Sequence, residues 1–319
     1  MNTEKTLQAE PVLGMDVQME YHADDYGLFP VQSQRILACH ANGNLNGVSV
    51  LPNGKQLDTC MDMLSRAGAD IAVTVHLNII EGTSLSPAAE VPLLVKKDGV
   101  FRITFGKLLL CSFLPVRGLY KAQLKQEFRA QIRRVQPYLS SGRPLRLDSH
   151  AHYHMVPVAF DALMELIQED ALDVSYIRIP KEQVGVYLRH LKKFRDFAPI
   201  NLVKVLILNL LSLRNERKHR AQLAGMEQKL FMGVFLSGCM YRDNVVPLLP
   251  DMCRLAQKQG KALELLAHPG AVYEPEDIRV LTFPDDVAFL TSKMRTEEAT
   301  LFESGKKRST NMPPKHVLL

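Results

Sequence analysis

Seven short apolar runs, each of strand length, alternate along this chain with longer segments whose apolar residues recur at helical spacing. The runs are "DVQMEYHA", "GVSVL", "IAVTVHL", "LRLDSHA", "VSYIRI", "LFMGVF" and "ALELLAH". Between them the spacing predicts helices over Val31–Ala41, Leu57–Ala67, Lys121–Ser140, Val156–Gln168, Asn244–Gln259 and Asp285–Glu303. Such alternation constrains the fold strongly. Parallel strands need a crossover between them, and the crossover helices cover the sheet, so the expectation is an α/β domain of about seven mostly parallel strands, as a sheet or a barrel.

The 319 residues suffice for a large core, and 46% hydrophobic with 23% charged residues describe an ordinary globular chain. The net charge of +5 is spread along the sequence and argues only weakly for nucleic acid. Five scattered cysteines without a CxxC pair exclude a thiolate metal site and fit a reducing compartment. The first residues lack a signal-peptide pattern, and no apolar run approaches the roughly 20 residues of a membrane span. A cytoplasmic location is therefore expected.

No internal repeat or Pro/Gly/Ser-rich linker divides the chain, so a single domain over residues 18–303 is expected, with tails at 1–17 and 304–319. Two stretches read as decorations on it, at about 84–110 and 190–228. The first follows a strand end directly and suits a substrate wall or lid. The second contains "PINLVKVLILNLLSLRNERKHRAQLAG", an apolar stretch followed by a basic one. It reads either as a helical hairpin packed on the core or as a surface for a lipid-like substrate or a membrane interface at about 199–225.

Four runs end in residues that carry chemistry. "YHADDYG" ends with Asp24 and Asp25, "IAVTVHLN" with His76 and Asn78, "LRLDSHAHYH" with His150, His152 and His154, and "ALELLAHPG" with His268. Each has a plainer reading: a turn, a core histidine, a polar strand end, a loop residue. In a parallel sheet or barrel, however, all four ends lie on the face where such folds build their sites. Carboxylate and imidazole suit a divalent ion, with Asp25, His76 and one histidine of the third run as ligands. Adjacent strand residues point to opposite sides, so Asp24 cannot easily share the ion. At a strand end that curls into a turn, it can still face the water as a base. His268 could then serve as the acid, and these roles describe hydrolysis of a carbonyl compound. No GxSxG elbow, Walker A loop or strand-linked GxGxxG offers another scheme.

These motifs, "HADDYG", "HLN", "DSHAHYHMVP" and "AHPG", with weaker echoes in "YIRIPKE" and "FMGVFLSG", resemble in order and spacing the YdjC-like (ChbG/HpnK) carbohydrate deacetylases. The resemblance implies a distorted (β/α) barrel, polysaccharide-deacetylase-like, with a helical insertion. It implies removal of the acetyl group from an N-acetylated amino sugar, oligosaccharide or glycolipid with Mg²⁺ or Zn²⁺. Carried over to this chain, Asp25, His76 and His150 are the ligands, Asp24 the base and His268 the acid. Asn78, His152, His154 and Arg178 become groups that face the substrate or support the site. The character of the 199–225 segment is closer to the hopanoid-associated branch, which suits a glycolipid substrate; a peripheral membrane contact through about 199–225 and a homodimer are separate expectations. His22 stands where the family usually has Asn. Two other readings stay open: metal-dependent hydrolysis of a phosphoester or cyclic amide, and a catalytically inactive sugar-binding barrel.

Overall fold

The computed structural model describes residues 17–68, 71–140, 142–272, 288 and 290–303. The expected tails, and the start of the helix expected from Asp285, fall largely outside these residues. Seven strands form one sheet: β1 (Met19–Tyr26), β2 (Gly47–Val50), β3 (Ala72–Leu77), β4 (Leu145–Ser149), β5 (Val174–Ile177), β6 (Lys229–Met232) and β7 (Ala262–Ala267). Their order is β5-β4-β3-β2-β1-β7-β6, and every pair is parallel. A parallel bridge between Tyr176 and Glu227 links the two edges, so the sheet curls into a nearly closed half-barrel. Strands covered on both faces need no alternation, which is why β1 and β2 are buried almost end to end.

The crossovers supply the cover. Helix α1 (Pro30–Ala41) and α2 (Leu57–Ala67) follow β1 and β2, while α3 (Phe105–Cys111) and α4 (Arg117–Val135) follow β3. Helix α5 (Pro157–Glu169) follows β4, and α6 (Val184–His190) with α7 (Ile200–Lys218) follow β5. Proline at the first position of α1 and α5 presets the entry angle without losing a hydrogen bond. Helix α5 is buried around most of its circumference between α4 and α7, as its largely apolar sequence requires. A further helix at Leu249–Gln259 precedes β7, and Lys293–Glu298 carries the chain back to the site.

Several expected strands are shorter than read from the sequence, two of them for a visible reason. The "LRLDSHA" strand stops at Ser149, where the backbone turns into His150–Met155. The "LFMGVF" strand stops at Met232 because the buried Glu182 carboxylate accepts the next three backbone N–H groups. These come from Gly233 and Val234, each at 2.6 Å, and Phe235 at 2.9 Å. Burial pushes the Glu182 pKa up to about 7 even against those three donors. A side chain at Gly233 would strike Leu266, so the turn also needs glycine there.

Candidate active site

In a regular strand Asp24 and Asp25 would point to opposite faces. The end of β1 avoids this with a bulge: Ala23 lies opposite Val48, but Tyr26 lies opposite Val50, leaving one residue extra in β1. Asp25 takes a left-handed φ of 67°, a conformation that costs about 1–2 kcal/mol and that aspartate tolerates better than most residues. Gly27 follows with φ 92°, and an added Cβ there would press on Leu57. As a result both carboxylates reach one point. Asp24 Oδ2 lies 3.8 Å and Asp25 Oδ1 3.7 Å from His76 Nε2.

His76 arrives at the end of β3, in register with Asp148 on β4. Its Nδ1–H donates to Asp148 Oδ1 at 2.7 Å, which leaves Nε2 facing the two aspartates. Nε2 is buried and has no hydrogen-bond partner. Asp148 is held ionised: burial works against the charge, but Arg178 and His76 outweigh it and keep its pKa far below the usual range. Ser49 donates to the other Asp148 oxygen at 2.5 Å, and His22 and Glu20 continue the chain behind it at 2.7 and 2.8 Å. His22 thus sits beneath the site and braces it.

The three histidines of "DSHAHYH" do not share a face. Ala151 and His152 adopt φ of 47° and 59°, so the segment is a tight turn and each imidazole leaves it in a different direction. His150 Nδ1 lies 3.0 Å from Asp25 Oδ1, and its Nε2 3.2 Å from Glu81. Burial disfavours the imidazolium, but the two carboxylates push its pKa up to about 10. His154 is locked in place: Nε2 donates to the Arg178 carbonyl at 2.8 Å and Nδ1 accepts from Ser149 Oγ at 2.6 Å. Burial brings its pKa down to about 4, so it stays neutral. His152 is buried edge-on to Phe231, also held neutral by burial, and its Nδ1 has no partner.

Arg178 lies just beyond β5, fully buried. Its Nη1 donates to both Asp24 oxygens at 3.0 and 3.1 Å and pairs with Asp148, while Nε and Nη2 donate to Glu264 at 2.9 and 2.7 Å. Burial raises the Asp24 pKa, but Arg178 and His76 more than reverse it, so the carboxyl is ionised. His268, at the end of β7, is held through its backbone N–H by Glu298 at 2.6 Å. Burial lowers its pKa, whereas Glu298 and Asp25 raise it further, with a net rise.

Asp25, His76 and His150, named from the sequence, are thereby brought together: one ligand atom from each lies within 4.8 Å of the others. Asp24 is beside them, and the Asp25 charge acts on His268. Asn78 is placed differently. Its side chain accepts from the Ile80 and Glu81 amides at 3.0 and 3.1 Å and donates to the Glu81 carbonyl, shaping the turn that carries Glu81 to His150. Sequence reasoning missed Asp148, Glu264, Arg295 and Glu298. Arg295 donates to Asp25 Oδ2 at 2.8 Å and to the Pro269 carbonyl at 3.1 Å. Asp148 had a signal, since it stands two residues before His150 on a strand that neighbours β3; the other three had none.

This donor set fits a divalent cation: a buried imidazole nitrogen without a hydrogen-bond partner, an ionised carboxylate and a second imidazole, with Asp148 orienting the His76 ring as metal sites commonly require. Asp148→Asn is expected to raise the metal concentration for half-maximal activation by about 10–100-fold. A metal titration checks this; an unchanged midpoint would show that Asp148 does not orient His76.

The YdjC-like protein family model matches residues 21–310. A carbohydrate deacetylase of Danio rerio is 26% identical over 186 residues, covering 58% of this chain and 55% of that protein. A carbohydrate deacetylase of Xenopus laevis is 24% identical over 313 residues, covering 92% and 93%. The chain thus spans about half the length of the zebrafish protein but nearly all of the frog one. A crystal structure of a putative cellobiose-phosphate cleavage protein from Enterococcus faecalis V583 superposes with a TM-score of 0.56 at 17% identity, over 88% of this chain and 93% of that one. That likeness concerns the fold, an α/β half-barrel. With its motifs in order on the ends of parallel strands and the family model covering most of its length, the chain belongs to the YdjC-like protein family.

Proposed function

We propose that this protein is a metal-dependent carbohydrate N-deacetylase that hydrolyses the acetyl amide of an amino sugar, either in an oligosaccharide or on a glycolipid as in the hopanoid-associated branch. The observation that carries the reading is the bare Nε2 of His76, buried between Asp24, Asp25 and His150. The relatives named as carbohydrate deacetylases support the choice of bond. Asp25, His76 and His150 would hold Mg²⁺ or Zn²⁺. A divalent ion bound there supplies a Lewis acid that polarises the acetyl carbonyl and acidifies water.

The chain's own groups do the rest. Asp24, kept ionised by Arg178, takes a proton from the attacking water as its oxygen adds to the carbonyl carbon. His268, its pKa raised by Glu298 and Asp25, gives its proton to the amine nitrogen as the C–N bond breaks and acetate leaves. His152 Nδ1 is the polar atom we assign to the substrate. His154 and Asn78 hold the turns that carry His152 and Glu81. Five free cysteines suit a cytoplasmic setting.

Acetate release from a panel of soluble and lipid-linked N-acetylglucosaminyl compounds is expected, abolished by chelator, restored by added divalent metal and lost in His150→Ala. Turnover of phosphoesters or cyclic amides without acetate release would overturn the proposal. So would sugar binding in the presence of metal without any turnover.

A further inference from the structure

Helix α7 is apolar on two faces: Val205, Leu208 and Leu211 are buried in the core, and a second set of apolar residues points away from it. Three asparagines share the buried face: Asn201 donates to the Phe235 and Ser237 carbonyls at 3.3 and 3.0 Å, Asn209 to Glu182 at 3.0 Å and Asn215 to Met155 at 2.9 Å. The outer face is apolar as well, with Ile200, Val203, Leu206, Ile207, Leu210 and Leu213 between 38% and 68% exposed. They recur every three or four positions and form one stripe on the side opposite the buried one. An ordinary surface helix is polar on its outer face. Phe235 and Ser237 follow β6, Glu182 follows β5 and Met155 follows β4. The helix therefore lies along the rim at the C-terminal strand ends, the rim that carries the metal-ligand set.

A second apolar patch extends the first. Leu110, Phe113, Leu114, Val116 and Leu119 are exposed at the corner between α3 and α4. Asp161 on α5 ties the two patches together, since Arg117 beside the corner and Arg214 and Lys218 at the end of α7 all pair with it. The surroundings are cationic. Nine Lys or Arg lie between Val184 and Leu223 against two acids, a surplus larger than the +5 of the whole chain. Both acids are paired, Asp196 with Arg195 and Glu216 with Lys181, and acids outside the stretch pair with Arg189, Arg214 and Lys218, which leaves Lys192, Lys193, Lys204, Arg217 and Arg220 with no ion pair among the described residues. No acid occurs between Val100 and Gln126.

We propose that this face seats on an anionic lipid bilayer, with the α7 stripe at the boundary between headgroups and acyl chains. The exposed Lys192, Lys193, Lys204 and Arg217 lie against lipid phosphates. Charge selects the occupant: a second copy docked through the same patch would set one cationic rim against another. The helix lies on the bilayer, since no helix among the described residues is long and apolar enough to cross one. This deepens the proposed activity, and rests on it only in that a seated rim holds the site against a lipid-anchored N-acetyl sugar.

Sedimentation of the full chain with vesicles tests it, comparing phosphatidylcholine alone with phosphatidylcholine plus phosphatidylglycerol, at low and raised salt. Binding is expected to require phosphatidylglycerol, to weaken with salt, and to fall about tenfold or more in Leu206→Glu/Leu210→Glu. The same variant should keep its thermal midpoint and its hydrolysis of a soluble N-acetyl sugar. Absence of any preference for the anionic vesicles would overturn the proposal. So would loss of a dimer in the ultracentrifuge on the same double substitution, which would assign the face to a second copy. Binding is read without substrate, so a protein that binds vesicles but releases no acetate sinks the deacetylase reading and leaves this one standing.

Discussion

Asp24→Asn is expected to lower kcat for acetate release by about 10²–10⁴-fold, the usual cost of losing a general base. The amide has the shape of the carboxylate and can still accept from Arg178, which now spans both oxygens at 3.0 and 3.1 Å. What it cannot do is take a proton from water. Asp24 is outside the Asp25, His76 and His150 set, so the metal midpoint should move by no more than about threefold while kcat collapses. Steady-state kinetics at saturating metal separates the two effects. A kcat within tenfold of the unaltered chain would remove Asp24 from the base position.

Arg178→Met is expected to cost about 3–5 kcal/mol of stability, the typical loss when one partner of a buried ionic cluster is removed. Arg178 is fully buried and contacts three carboxylates, Asp24, Asp148 and Glu264. Glu264 keeps a second donor in Tyr176, and Asp148 keeps His76 and Ser49, but Asp24 has no other hydrogen-bond donor among the described residues. The loss should lower the thermal midpoint by roughly 5–10 °C. Pairing the substitution with Glu264→Gln removes one of the stranded charges and should recover part of it. Should Arg178→Met fail to fold, the milder Arg178→Lys, which keeps the charge but not the fork, gives a graded loss. A midpoint unchanged in both variants would show that the cluster is not held together by the guanidinium.

Much of the fold was legible because its signals are local. A run such as "IAVTVHL" declares a buried strand within seven residues, and the helical period of α2 or α5 declares a crossover. Parallel strands share a polarity, so residues at the ends of four runs could be assigned to one face before any contact was known. The three histidines show the limit. Alternation is a property of extended chain, and it lapsed at Ser149, where two left-handed residues sent His150, His152 and His154 apart. The paired aspartates show it too, since strand geometry separates their carboxylates and only the bulge in β1 brings them together.

The sequence by itself determined the chemistry available at the mouth of the barrel: two carboxylates and several imidazoles at strand ends, in an order characteristic of one family. Tertiary structure alone decided how those groups are poised. His76 owes its free nitrogen to Asp148, 72 residues away; His150 meets Asp25 across 125 residues, and Arg295 reaches the same aspartate across 270. Periodicity is a short-range property and records which side of an element is buried. Whether a buried nitrogen is left without a hydrogen bond, or a carboxylate left charged, depends on partners that only the closed sheet brings into contact.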